Sequence, residues 1–175
     1  MKHLFIINPA AGSRNRTKEY SVAIHDACHA RGLSYRIEVS QAPGECTRIA
    51  REAAQSGEEY RIYACGGDGT LNETIAGLLM AQLNVPVGYI PSGTTNDFAS
   101  SLKLSHNPVQ AAADIIEGQP VPYDIGKFGD RYFSYVASFG AFTQTSYTTP
   151  QGIKNILGHT AYVLSGISEL SQIRN

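Results

Sequence analysis

Residues 60–79, YRIYACGGDGTLNETIAGLL, constrain the fold more than any other stretch of this chain. An apolar run from Ile62 to Cys65 breaks into Gly66-Gly67-Asp68-Gly69-Thr70, and Leu71, Ile75, Leu78 and Leu79 then recur on one helical face. That order is strand, glycine turn, helix. Glycines lacking a Cβ let a backbone take left-handed conformations and approach a ligand closely, and the helix that follows offers unpaired N–H groups and the positive end of its dipole. Phosphate suits such a turn. The stretch has neither the Lys-Ser/Thr of a P-loop nor GxGxxG spacing, so a plain tight turn remains open. Asp68 favours the ligand reading, because a carboxylate among phosphate-facing N–H groups would repel phosphate unless a cation lay between them. Magnesium is the expected cation.

The same strand, turn and helix alternation runs through the first 120 residues. Residues 4–7 form a continuous apolar run of the kind buried on both faces of a parallel sheet. They end in Asn8-Pro9-Ala10-Ala11-Gly12, with Arg14 and Arg16 close behind, which is either a second phosphate loop or an ordinary strand-to-helix turn. A helix over 17–31 has Tyr20, Ala23, Ile24, Ala27 and Cys28 as its inward stripe. His25 and His29 share a face without further ligands and read as surface histidines. A half-buried strand over 34–39 carries Ser40 at its carboxyl end, and a helix over 45–55 follows. After the glycine turn and its helix, residues 85–90 make another strand, which leaves through Pro91-Ser92-Gly93-Thr94-Thr95-Asn96-Asp97-Phe98. Thr95 or Asn96 is expected to cap the short helix ending at Leu102, and Asp97 to accept N–H groups of its own loop or to serve a metal. Pro108 and Gly118 bracket a last helix, with Val109, Ala112, Ala113 and Ile116 expected inward and His106 solvated before it. The predicted class is α/β, a doubly wound, mostly parallel sheet.

Composition excludes several alternatives. A net charge of −1 with no Lys/Arg run leaves no footprint for nucleic acid. Cys28, Cys46 and Cys65 are widely spaced and read as small buried residues of a reducing compartment. The apolar start is short for a signal peptide and no segment reaches the length of a membrane span, so a cytosolic chain is expected. A length of 175 residues suits one domain and the beginning of another.

Loops led by Asn8, Gly66 and Pro91 all leave the carboxyl ends of strands, where doubly wound sheets gather their ligands. Their agreement makes nucleotide binding the leading hypothesis.

The motifs NPAAG at 8–12, GGDGTLNETIAGL at 66–78 and PSGTTNDF at 91–98, followed by VPYDIG at 121–126, resemble the diacylglycerol kinase catalytic domain, especially that of the soluble bacterial diacylglycerol kinases. The resemblance covers nearly the whole chain. GGDGT alone is shared with NAD kinases, whereas the motifs in this order and spacing are more specific. The resemblance implies that Asn8, Pro9, Ala10, Ala11, Gly12, Ser40, Gly66, Gly67, Asp68, Gly69, Thr70, Leu71, Asn72 and Thr94 bind ATP. It implies that Asp68, Asp97 and Asp124 form an acidic cluster holding Mg2+ directly or through water, with Asp68 and Asp124 catalytic. Such kinases transfer the γ-phosphoryl group of ATP to the hydroxyl of diacylglycerol to give phosphatidic acid, which places this protein in the cytoplasm, peripheral at the inner membrane surface. Positioning, cation neutralisation and an oriented hydroxyl are what phosphoryl transfer requires. By its own sequence context Asp124 is equally a turn residue ahead of a hairpin around FGDR.

Residues 121–175 are expected to leave the nucleotide domain and begin an incomplete all-β second domain. RYFSYVASFGAF at 131–142 reads as strand and 161–170 as an apolar helix needing a partner surface: a missing domain by preference, otherwise a membrane or a second copy of the chain in a homodimer. The resemblance implies that 143–158 is a mobile segment near the lipid site. Family members run well beyond this length and carry their general base in that second domain, beyond residue 175 here. The expectation is therefore weak nucleotide binding and little lipid kinase turnover by this polypeptide, and an active longer parent. An NAD kinase-like phosphotransferase and a non-catalytic nucleotide-binding module are the alternatives. The lipid itself, diacylglycerol or a relative, is not legible from these residues.

Overall fold

A computed structural model of the chain describes residues 1–135. Its centre is a four-stranded parallel sheet of β1 (Lys2–Ile7), β2 (Tyr35–Val39), β3 (Tyr60–Gly66) and β4 (Val87–Pro91), in the order β2-β1-β3-β4. The connections are α1 (Thr17–His29), α2 (Glu45–Gln55) and α3 (Asp68–Met80), and α4 (Asp97–Ser101) and α5 (Pro108–Glu117) follow β4. Two-residue alternation sorts β1 between the two faces. Phe5 and Ile7 pack with Tyr20, Ile24 and Cys28 of α1 and Ala112 and Ile116 of α5, while Leu4 and Ile6 pack with Cys46, Ile49 and Ala50 of α2 and Leu78 of α3. Burial on both faces explains the unbroken apolar runs at 4–7 in β1 and 62–65 in β3, whereas β2, at the sheet edge, is only half-buried. The doubly wound class is thereby established, and all three cysteines are buried free thiols.

Local signals place the ends of elements well. Pro108 opens α5 and Asn107 caps it, its side chain accepting N–H bonds from Val109 and Gln110. Differences arise where packing decides. The first strand residue after the α3 turn is Val87, not Val85, and α1 ends at His29. Val109 is 66% exposed, and the inward face of α5 is instead Ala111, Ala112 and Ile116. His25 and His29 lie on the surface, with His25 Nδ1 2.7 Å from the Tyr35 hydroxyl. After Ile125 the chain forms a separate antiparallel pair, β5 (Gly126–Phe128) and β6 (Arg131–Phe133). The strand expected over 131–142 is thus paired only through Phe133 among the described residues. The segments at 143–158 and 161–170 lie outside them.

Candidate functional site

The sheet order sets the site. β1 has β2 on one side and β3 on the other, so the winding reverses between β1 and β3, and a crevice opens at their carboxyl ends. The loops leaving β1, β3 and β4 extend the strand pairing into that crevice: Asn8 N–H donates to Cys65 O at 2.9 Å and Ser92 N–H to Gly66 O at 2.7 Å. Asn8 then holds its own loop, its Oδ1 accepting from Ala10 N–H at 3.0 Å, and reaches α3 through Nδ2, which donates to Thr70 Oγ1 at 3.0 Å. The Tyr20 hydroxyl donates to Pro91 O at 2.9 Å and anchors the third loop to α1.

The glycines of this rim serve loop packing more than left-handed backbone. Of them only Gly12 has positive φ, +79°, and a Cβ there would stand 2.4 Å from Ser92 O. Gly66 faces the Thr70 side chain, which an added Cβ would meet at 2.2 Å. Gly67 and Gly93 lie backbone to backbone, so that a Cβ on Gly93 would stand 2.5 Å from Gly67 Cα. Gly67 itself is extended, with φ −88° and ψ −176°. The left-handed conformations expected of the GGDG turn are absent; Gly66 is required instead by the Thr70 side chain, and the Gly67/Gly93 pair by the close approach of two loops, which is tightest on the Gly93 side. Gly69 is different: it is exposed, and a Cβ there meets nothing within 4 Å. It lies in the first turn of α3, whose start no side chain caps.

Asp68 also has a role that the sequence did not suggest. Its carboxylate reaches across to the third loop, Oδ2 accepting from Asp97 N–H at 3.0 Å and Oδ1 from Phe98 N–H at 3.2 Å, with the Tyr89 hydroxyl 3.4 Å from Oδ1. Asp68 therefore caps α4 from a different loop. Neither Thr95 nor Asn96 caps it; Asn96 takes φ +51° and closes the 93–96 turn, its Oδ1 accepting from Gly93 N–H at 2.8 Å and its Nδ2 donating to Gly93 O at 2.9 Å. The α4 start is consequently no free anion site, since a carboxylate already occupies it. Nor does Asp97 accept its own loop's N–H groups: its side chain is exposed and Asp68 takes that place. The repulsion argued for Asp68 is thus relieved in part by two backbone dipoles. Tyr89, 4% exposed, is held firmly as a phenol, its pKa pushed far up by burial first and by the Asp68 charge second.

The remaining expected residues divide between rim and support. Pro9 and Ala11 are half-buried and Ala10 and Thr94 exposed, all on the rim loops. Ser40 is 4% exposed and neighbours the Cys46 thiol, whose pKa burial pushes up to about 11. Leu71 is core, packed with Ala64, Tyr89 and Phe98. Asn72 turns to β6, its Nδ2 donating to Tyr132 O at 3.2 Å and its Oδ1 accepting from Ser134 N–H at 3.0 Å. Arg16 donates to both Glu19 carboxylate oxygens, at 2.8 and 2.7 Å, and Arg14 lies 3.6 Å from Glu19, so their charges are partly balanced beside the first loop. Asp124 is exposed beside a cleft of about 590 Å3 that Tyr123, Phe133 and Tyr135 also line.

Among the described residues no three His, Cys, Asp or Glu side chains gather to hold a metal, so Asp68, Asp97 and Asp124 do not form the one cluster that the resemblance implies. The donor set nevertheless suits Mg2+ brought by phosphates, which takes one or two carboxylates and several waters instead of an all-protein cage. Asp68 Oδ2 accepts one hydrogen bond and keeps a lone pair for such a water, and the Asp97 carboxylate is exposed.

Fold and rim together define an open α/β protein whose candidate site lies at a topological switch point. Residues 2–128 match the diacylglycerol kinase catalytic domain, and the chain belongs to that family of kinases. It is 36% identical over 170 residues to a diacylglycerol kinase of Bacillus subtilis (strain 168), covering 97% of this chain and 55% of that relative. With a diacylglycerol kinase of Staphylococcus carnosus (strain TM300) it shares 36% identity over 173 residues, again 97% and 55%. A crystal structure of a diacylglycerol kinase from Bacillus anthracis str. Sterne superposes with a TM-score of 0.65 at 28% identity, over 75% of this chain and 45% of that one. The chain spans about half the length of the curated relatives it matches.

Proposed function

We propose that this rim binds ATP and that the protein is the nucleotide-binding portion of a lipid kinase, which moves the γ-phosphoryl group of ATP to the hydroxyl of diacylglycerol and yields phosphatidic acid. The observation that carries the reading is the meeting of three strand-end loops around an uncapped helix start, with Gly69 open beside it. The phosphates would lie along the first turn of α3, where N–H groups and the helix dipole favour negative charge. The backbones of Asn8, Pro9, Ala10, Ala11 and Gly12, together with Gly66, Gly67, Gly69, Thr70 and the Thr94 hydroxyl, would surround the nucleotide, with Ser40 supporting the rim from β2. Mg2+ would be held by Asp68 and Asp97, directly or through water, and would neutralise charge on the transferring phosphoryl oxygens. Asp124, which lines the neighbouring cleft, would serve the incoming hydroxyl from that side in this reading. The lipid is met at the cytoplasmic membrane surface in this reading; no helix among the described residues is long and apolar enough to cross a membrane.

Gly69→Ala tests the reading because it separates stability from binding. Alanine in an exposed helix turn is favoured over glycine by about 0.5 to 1 kcal/mol, and here it meets no neighbour. The variant should melt at a higher temperature than the parent while its affinity for Mg-ATP, measured by calorimetry, falls about tenfold or more because the methyl stands where phosphate approaches. Unchanged ATP affinity in the variant, or no heat of ATP binding to the unaltered chain, refutes the reading.

A further inference from the structure

Asn72 sits one turn into α3, a helix whose first residues carry the proposed phosphate site, yet its side chain points to the hairpin. Donor and acceptor of a single amide are both engaged by backbone, at Tyr132 O of β6 (3.2 Å) and at Ser134 N–H just beyond its end (3.0 Å), which is the pairing a neighbouring strand would make. The link continues through the hairpin. Gly126 pairs with Phe133, whose ring lies so close that a Cβ on Gly126 would stand 2.0 Å from it, and Asp124 lies two residues before Gly126. Tyr123 and Tyr135 meanwhile pack edge-on against Phe98, at 5.0 and 6.3 Å, and Phe98 N–H is one of the two amides that Asp68 holds. Asp124 therefore belongs to a wall fastened to the nucleotide rim at two places, of which only Asn72 is polar and directional.

We infer that Asn72 is a positioning residue: its side chain pairs with backbone at Tyr132 of β6 and at Ser134 just after it to hold the Asp124-bearing wall against the first turns of α3, and it does not contact nucleotide. What it aligns with the wall is the ATP site, so the inference rests on the proposed function. Chemistry supports the assignment of the side chain to β6. The donor and acceptor of the amide each have a backbone partner, and releasing them to a phosphate would leave Ser134 N–H, in a residue 6% exposed, without its acceptor.

The test is amide hydrogen exchange, resolved by residue, on the full 175-residue chain with and without Mg-ATP, for the parent, Asn72→Ala and Asn72→Asp. Asn72→Ala should speed Ser134 N–H exchange about tenfold or more, leave buried Ala64 and Cys65 unchanged, and keep ATP affinity within about twofold. In the parent, Mg-ATP should slow Ser134 exchange further by ordering the first turns of α3, and the alanine variant should lose that response while still binding ATP. Asn72→Asp, which accepts from Ser134 N–H without donating to Tyr132 O, should restore part of the protection. Ser134 exchange that ignores Asn72→Ala overturns the inference, as does a tenfold loss of ATP affinity in a variant whose Ser134 protection is intact. If the parent binds no ATP, the ATP reading fails by itself, and Ser134 exchange without nucleotide still decides whether Asn72 holds the wall.

Discussion

Gly12→Ala should destabilise the chain by about 3 kcal/mol and remove measurable ATP binding. Two costs combine at this position. A left-handed residue with a Cβ costs roughly 1–2 kcal/mol, and forcing a methyl into occupied space costs typically 1–3 kcal/mol. Gly12 has φ +79°, and its Cβ would stand 2.4 Å from a backbone oxygen, that of Ser92, which cannot rotate aside as a side chain would. The loop from β1 must then separate from the loop from β4, and a rim built of both loops loses its shape. Gly32→Ala supplies the control, since Gly32 has φ +61° with nothing within 4 Å of a Cβ. That variant carries only the conformational cost, about 1 kcal/mol, and should bind ATP like the parent. Equal losses in the two variants, measured by urea denaturation, would show that contact between the first and third loops contributes nothing.

Asp68→Ala should cost about 2 to 4 kcal/mol even without nucleotide or metal. A hydrogen bond to a charged group contributes about 1.5–3 kcal/mol, and the cost of an unsatisfied donor falls on the partners left behind. Here those partners are the N–H groups of Asp97 and Phe98, which begin α4 with no other cap. Asp68→Asn should lose about half as much, because one amide oxygen can still accept while the NH2 cannot. Measuring the apo protein separates two roles for this carboxylate. A side chain that served only as a metal ligand would leave apo stability unchanged or improved on removal, whereas a loop clasp would weaken the fold before any ligand is added. On the proposed function, the same substitution in a longer kinase of this family should also abolish phosphatidic acid formation, because the start of α4 at Asp97 and Phe98 would no longer be held against the glycine turn.

The inward stripe of α1, the double burial of β1 and β3 and the Asn107-Pro108 start of α5 were all legible in the sequence, because each depends on residues within one or two turns of one another. The three rim loops were legible for the same reason, each being a short run of glycines and hydroxyl residues after an apolar strand. Misreadings occurred where a group's partner lies far along the chain. Asn96 looked like a cap because it precedes a helix, but Asp68, twenty-nine residues from Asp97, fills that place. Leu71 and Asn72 follow the glycine turn directly in sequence, and only the fold shows that helical rotation turns the side chain of one into the core and that of the other toward β6.

What the sequence by itself determined is the alternation of strands and helices, the polarity of each face and the positions where the backbone breaks, all consequences of local periodicity and of side chains acting on their own backbone. Only the tertiary structure decided why the rim has glycines at 12, 67 and 93, and which amides the Asp68 carboxylate holds. Those facts depend on loops meeting across strands that are neighbours in the sheet but distant in the chain, and a hydrogen bond or a steric contact is specified by distance in space, which no spacing along the polypeptide encodes.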